Sequence, residues 1–263
     1  MERITPNVYV ETQKRGSNPG FVVTSRGVIM IDAPVDPGDA KAWAKEIARR
    51  GKLLCLINTE HHLDHWVCNS LFDVDVISHE ITRETMFTMD IQYIRDRTKI
   101  LYIDPLPLPK NHQLKVPTIT YTGQITIYAG SHTLHLLHTP GHTAGETAVY
   151  IPEEKVVFCG DNVIGQMGTL FHDAVPEKWI ESLKVLEGLD ASFFVPGHGK
   201  VCDKKYLPTQ ASIVRGWMEE IKKAKRQKTG VDETIIKKKI DPYAGLLDVG
   251  IKPGLKLPPT SQR

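Results

Sequence analysis

The chain is 263 residues long, 41% hydrophobic and 24% charged, with a formal net charge of +2; this is the balance of a globular protein able to bury a sizeable core in one α/β domain. So small a charge excludes strong attraction to nucleic acid or to an anionic membrane surface. No run of roughly 18 apolar residues is present to cross a membrane as a helix.

In chain order, strands are predicted at residues 8–12 and across 20–32, the latter a hairpin turning near Ser25-Arg26-Gly27. Residues 37–50 carry Ala40, Trp43, Ala44 and Ile47 at the spacing of one helix face. A short apolar strand over 52–58 follows, then a helical turn at 66–72, a strand at 74–78 and a single helix over 82–97. The second half repeats the scheme with strands at 118–121, 125–128 and 132–138. A hairpin of 147–150 and 155–159 turns at Pro152-Glu153-Glu154. A helix over 177–188 turns Trp179, Leu183 and Leu186 inward, with Gly188 as its stop, and 193–195 is the last core strand. Two similar halves of this kind predict an α/β fold, a four-layer αββα sandwich.

From residue 208 the composition changes. A helix over 210–228 ends in Lys222, Lys223, Lys225, Arg226 and Lys228, and Lys237, Lys238 and Lys239 follow in a second short helical segment. This basic cluster is either a solvated face or an attractor of anionic substrates. Residues 246–263, with prolines and little periodicity, are expected to wrap over the domain or a partner, or to be partly disordered. Four cysteines, Cys55, Cys68, Cys159 and Cys202, form no C-x-x-C pair, and residues 1–6 lack the basic start and apolar run of a secretory signal. A reduced, cytoplasmic setting is therefore expected, with Cys159 pointing into the core.

The chemistry is concentrated in Asn58-Thr59-Glu60-His61-His62-Leu63-Asp64-His65. Glu60, His62, Asp64 and His65 stand too close together for one helix face to present them all, but they suit a tight loop folding around an ion after the 52–58 strand. Further on, His142, Asp161 and His198 each follow a strand and a glycine: Thr139-Pro140-Gly141-His142, Phe158-Cys159-Gly160-Asp161 and Val195-Pro196-Gly197-His198. Glycine lets the backbone turn sharply there and aims the next side chain at the end of a sheet, where α/β sheets usually place their sites. Imidazole nitrogens and carboxylate oxygens suit borderline divalent metals such as zinc, iron or manganese. Together these residues look like a two-metal site.

In this order the pieces resemble the metallo-β-lactamase superfamily, whose pattern is His-x-His-x-Asp-His followed by a distant His, Asp and His; the resemblance covers roughly residues 8–201. It implies a first metal site at Glu60, His62 and His142, a second at Asp64, His65 and His198, and Asp161 bridging them. Position 60 departs from the pattern, since the family usually has histidine there. Glutamate can still bind through oxygen, but it adds charge, so iron or manganese become more competitive with zinc, otherwise the expected ion. Three roles for Glu60 stay open. It is a ligand with both sites filled, or a non-ligand leaving one metal on Asp64, His65 and His198, or the mark of an oxygen- or redox-active di-iron centre. Flavodiiron proteins share the fold but carry their glutamate at the other histidine position, here His62.

The resemblance further implies metal-assisted hydrolysis of a small ester, lactone, thioester or amide, with Asp64 orienting the attacking water or accepting its proton. The expected catalytic domain is 1–206, with a C-terminal helix and tail, 207–263, packed on it. Small-molecule substrates are expected, with no nucleic acid and no membrane, and a homodimer could use exposed aromatics such as Trp217. A di-iron oxidoreductase or oxygen-binding protein, or a binding protein with a degenerate metal site, are the alternatives, and both rest on Glu60. Of the other histidines, His61 and His138 are expected to support or pack beside the ligands, and His132 and His135 to be surface or satisfied core residues. His172, in the stretch after Asp161, is expected near the active-site mouth, as a substrate contact or a structural residue.

Overall fold

The computed structural model describes residues 1–231 and 233–243 and arranges them around two β-sheets. The first has seven strands in sequence order: β1 (Glu2–Arg3), β2 (Val8–Val10), β3 (Gly20–Thr24), β4 (Gly27–Ile31), β5 (Leu53–Ile57), β6 (Val76–His79) and β7 (Ile119–Tyr121). The pairings are antiparallel from β1 to β4 and parallel from β4 to β7. Parallel neighbours need crossover connections, and helices supply them: α1 (Pro37–Ala48), α2 (Leu63–Trp66), α3 (Glu80–Phe87) and α4 (Ile91–Leu101). The second sheet contains β8 (Gln124–Ala129), β9 (His132–His138), β10 (Thr147–Ile151), β11 (Val156–Phe158) and, after a two-residue strand β12 (Ile164–Gly165), β13 (Phe193–Val195). Only β11 and β13 are parallel in this sheet, joined through α5 (Pro176–Gly188). A last strand, β14 (His198–Gly199), pairs with β12, and α6 (Leu207–Gln227) follows.

Side-chain alternation sets the layers. Along β4, Ile29 and Ile31 face the second sheet, while Val28 and Met30 face the helices, so both faces of the strand are buried. Between the sheets, Val8, Val22, Ile29 and Ile57 meet Leu134, Leu136, Val149, Phe158 and Val195. Outside the first sheet, Met30, Leu56 and Val76 pack with Trp43, Ile47, Met86 and Ile94. Outside the second, Ala148, Val157, Cys159 and Phe194 pack with Trp179, Leu183, Leu186, Leu207 and Val214. The result is the α/β sandwich of four layers, with Cys159 in the core as expected.

Several boundaries differ from the sequence reading. The helix over 82–97 is two helices: α3 ends at Phe87, and Asp90 accepts a hydrogen bond from the Tyr93 N–H to start α4 anew. The turn at 66–72 is likewise split, between the end of α2 and a 3₁₀ turn at Asn69–Leu71. Asp64 and His65 consequently sit on the helical turn α2, and only Glu60 and His62 belong to the loop before it. Trp217 is half-buried and stacks on Phe171 at 4.8 Å between ring centroids, instead of standing exposed. Among the described residues no helix is long and apolar enough to cross a membrane. The expectation for 246–263 lies outside the described residues.

Candidate metal centre

All seven proposed ligands meet where β5, β9, β11 and β13 end. Glu60 is fully buried. Its Oε2 accepts the His62 backbone N–H at 3.0 Å, while Oε1 lies 2.8 Å from His62 Nδ1 and 3.2 Å from His65 Nε2. His142 Nε2 is 3.2 Å from His62 Nδ1 and 3.5 Å from Asp161 Oδ2. Glu60, His62, His142 and Asp161 thus offer one donor atom each within 4.8 Å of one another. Asp64, His65 and His198 form a second such set, with His198 Nε2 3.2 Å from Asp64 Oδ2 and 3.4 Å from Asp161 Oδ2. His65 Nε2 lies 3.4 Å from Asp161 Oδ1, so Asp161 stands between the sets.

Each imidazole is aimed by a contact on its far nitrogen. His65 Nδ1 lies 2.9 Å from Asp32 Oδ2, His142 Nδ1 lies 3.1 Å from the Leu170 carbonyl, and His62 Nε2 lies 3.0 Å from Asp173 Oδ2. Such bonds fix which nitrogen faces an ion. Asp32 is held in turn by the Thr59 N–H and hydroxyl, in a left-handed conformation (φ 53°) uncommon outside glycine. Glu146, buried, accepts the Asp161 N–H at 2.8 Å and the Thr143 N–H and hydroxyl; Asn162 Oδ1 accepts the His142 N–H at 2.9 Å. Asn18 ties the halves together by donating to the carbonyls of Pro196, Gly197 and Gly199.

Sequence reasoning missed Asp32, Glu146 and Asp173. Asp32 had a signal, an acidic residue ending an apolar strand; Asp173 directly follows His172, and Glu146 belongs to no recognisable pattern. His172 sits beside the first set, its ring 4.8 Å from that of His62 and its Nε2 3.6 Å from Asp173 Oδ2. His138 packs away from the ligands, stacked on His79 at 3.7 Å with its Nε2 against the Ala144 carbonyl. His132 is buried and pairs with Glu154, and His135 with Thr126.

The electrostatics are those of a dense imidazole–carboxylate web. Burial pushes the Glu60 carboxyl up, but neighbouring His62 and His65 outweigh it and hold Glu60 below the usual range. Asp161 is lowered too, burial being outweighed by His198 and His65. Burial opposes charge on His62, yet Glu60 and Asp173 raise it to about 10. Burial lowers His142, and together with the charges of His62 and His142 it depresses His172 to about 3. Glu146 is raised by burial and by the charges of Glu60 and Asp161.

Two buried atoms in the middle of the web, His65 Nε2 and Asp161 Oδ1, have no hydrogen-bond partner among the described residues. Orphaned polar atoms at one point, surrounded by nitrogen and carboxylate donors, fit borderline divalent ions whose binding displaces imidazole protons.

Known proteins were compared with the chain. The family described as the metallo-beta-lactamase superfamily matches residues 13–198. The chain is similar to a hydroxyacylglutathione hydrolase of Brucella anthropi, 28% identical over 218 residues, or 80% of this chain and 70% of that protein. It is similar to 2,4-dinitroanisole O-demethylase subunit alpha of a Nocardioides species, 29% identical over 181 residues, or 65% and 49% of the two chains. A beta-lactamase-like protein 2 homolog of Caenorhabditis elegans is 40% identical over 72 residues, 27% of this chain and 24% of that protein. The chain therefore spans a quarter to seven tenths of the length of these relatives. Among solved structures, a metallo-beta-lactamase from Pontibacter korlensis superposes with a TM-score of 0.63 at 20% identity, covering 81% of this chain and 97% of its own. A sec-alkyl sulfatase variant reaches 0.71 at 14% identity, covering 86% and 43%. These structural likenesses are likenesses of fold.

Proposed function

The chain belongs to the metallo-β-lactamase superfamily, and on that footing we propose that it is a metal-dependent hydrolase of a small carbonyl compound, a thioester foremost, with esters, lactones and amides as the wider class. The observation that carries this reading is the convergence of two donor sets on Asp161, with His65 Nε2 and Asp161 Oδ1 orphaned at their junction. The similarity to hydroxyacylglutathione hydrolases over most of the chain supports the thioester.

Glu60, His62 and His142 would hold one divalent ion and Asp64, His65 and His198 the other, with Asp161 between them. When bound, such ions polarise a carbonyl and lower the pKa of water. Zinc is the first choice, and the oxygen of Glu60 favours iron or manganese more than an imidazole would. Asp64 is the proton acceptor. Its side chain is 16% exposed, against 0% for Glu60 and 8% for Asp161, the most open to solvent of the three carboxylates. Burial opposes its ionisation, but His198 and His65 outweigh burial and keep it a carboxylate able to accept a proton at Oδ2. His172, beside His62, contacts the substrate. Residues 1–206 form the catalytic domain, with the C-terminal helix packed on it. Four free cysteines support a reducing, cytoplasmic setting.

The test is hydrolysis of a hydroxyacyl thioester of glutathione, an aryl ester and a lactone by zinc-, manganese- and iron-loaded protein, alongside Asp64→Ala. Turnover of at least one class is expected, falling roughly a hundred- to ten-thousand-fold in Asp64→Ala with an unchanged melting temperature. Full activity in Asp64→Ala would remove Asp64 from the mechanism. Glu60 favours a second reading, a redox-active di-iron centre; iron-dependent visible absorbance that responds to dioxygen and reductant, without hydrolysis, would establish it instead.

A further inference from the structure

Beside the first donor set lies another cluster, built on a single carboxylate oxygen. Asp173 Oδ2 is 3.0 Å from His62 Nε2, 3.6 Å from His172 Nε2 and 3.7 Å from His61 Nε2. The Asp173–His62 contact alone suffices to orient the His62 ring. It gives no reason for the other two imidazoles to approach the same oxygen.

His61 is the informative member. It is 5% exposed, both its ring nitrogens are buried, and neither has a hydrogen-bond partner among the described residues. Its backbone is tied down separately, by the Trp66 indole N–H donating to the His61 carbonyl at 2.7 Å. A buried imidazole satisfied at neither nitrogen is destabilising unless something completes it. The nitrogen nearest to Asp173 points at what is missing.

We propose that His61, His62 through Nε2, and Asp173 form a third cation site, distinct from the two sets around Asp161. The donors of His61, His62 and Asp173 lie within 4.8 Å of one another. Tetrahedral zinc with bonds of about 2.0–2.1 Å has donor–donor edges of about 3.3–3.4 Å, and the distances from Asp173 Oδ2 fall on either side of that value, 3.0 Å to His62 Nε2 and 3.7 Å to His61 Nε2. Imidazoles with a single carboxylate select zinc or a neighbouring transition ion over magnesium or calcium. His62 is shared, with Nδ1 toward Glu60 and Nε2 toward Asp173. Two cations on opposite nitrogens of one ring repel each other, so the outer ion is held more weakly than the inner ones.

The experiment is equilibrium dialysis of the full chain against zinc ions, with elemental analysis of protein and buffer, for the natural sequence, His61→Ala and His61→Phe. The natural sequence should take up one equivalent more than either variant, at a higher free zinc concentration than the rest. His61→Phe keeps a ring in the buried space and removes both unsatisfied nitrogens, so without metal it should melt at or above the natural sequence, while gaining less on zinc addition. Equal stoichiometry in all three proteins would overturn the site. Loss of more than one equivalent in both variants would also overturn it, by assigning His61 to the inner sets. Because the readout is a difference of one equivalent, it stands whether or not the protein hydrolyses a thioester, and failure of the hydrolytic reading leaves it unaffected.

Discussion

The two halves of the molecule deliver their proposed ligands in opposite ways. In the first half, Glu60, His62, Asp64 and His65 come from one unbroken run after β5, steadied by Asp32 from the adjacent strand β4. In the second, His142, Asp161 and His198 come from three separate strand ends, and their approach depends on side chains that are missing. A Cβ on Gly197 would lie 1.7 Å from Asp161 Oδ1, and one on Gly160 would lie 2.0 Å from Glu146 Oε1. The first arrangement is a self-contained loop in which one ligand type can replace another. The second is a packed junction in which one methyl group displaces a ligand. Glu60, where the resemblance leads one to expect histidine, falls in the first.

Gly197→Ala should break the second half most severely. With no room for its Cβ, Asp161 must move, and we expect a stability loss of about 3 kcal/mol in urea denaturation together with loss of bound metal. A variant that retains the metal content of the natural sequence would show that the junction yields more easily than its geometry implies. In the first half the comparable change is milder. Asp32→Asn removes the carboxylate behind His65 but leaves the ligand in place, so metal affinity should fall roughly 10- to 100-fold in competition with a chelator. An unchanged affinity would mean that Thr59, 3.2 Å from His65 Nδ1, is enough to aim the ring.

The smallest effect expected is a pH dependence of the metal-free protein. His62 is raised from 6.5 to about 10, with burial overcome by Glu60 and Asp173. A raised folded pKa contributes stability that is complete below the unfolded value and disappears as pH climbs through the folded one. The melting temperature of metal-free protein should therefore decline between pH 6.5 and about 10, and His62→Gln should flatten that decline. Equal slopes in both proteins would assign the titration elsewhere.

The layers and most of the centre were legible in the sequence because both are written in short-range patterns. The unbroken apolar run Val28-Ile29-Met30-Ile31 suits a strand buried on both faces, and the Glu60–His65 spacing and the three glycine–ligand pairs point to the candidate site. The reason given for the glycines was only partly right. Gly160 does adopt a left-handed conformation (φ 55°), but Gly141 and Gly197 are needed because Asn162 Oδ1 and Asp161 Oδ1 occupy the space of a Cβ. The residues that aim the ligands were not legible, since their contacts span long separations: 33 residues from Asp32 to His65 and 111 from His62 to Asp173. The strands β1, β12 and β14, at two residues each, are too short to show a period. Helical spacing across 82–97 concealed the break at Asp90, whose capping bond interrupts it.

A two-ion centre requires Glu60 to be a ligand. The direct measurement is elemental analysis of the natural sequence, Glu60→Ala and Glu60→His, purified without a metal-binding tag and stripped of loosely held ions on a chelating resin. The account predicts two ions per chain in the natural sequence, one in Glu60→Ala, and two in Glu60→His with zinc favoured more strongly. A metal content unchanged by Glu60→Ala but raised by Glu60→His would contradict it, making position 60 a lost ligand and the centre mononuclear on Asp64, His65 and His198.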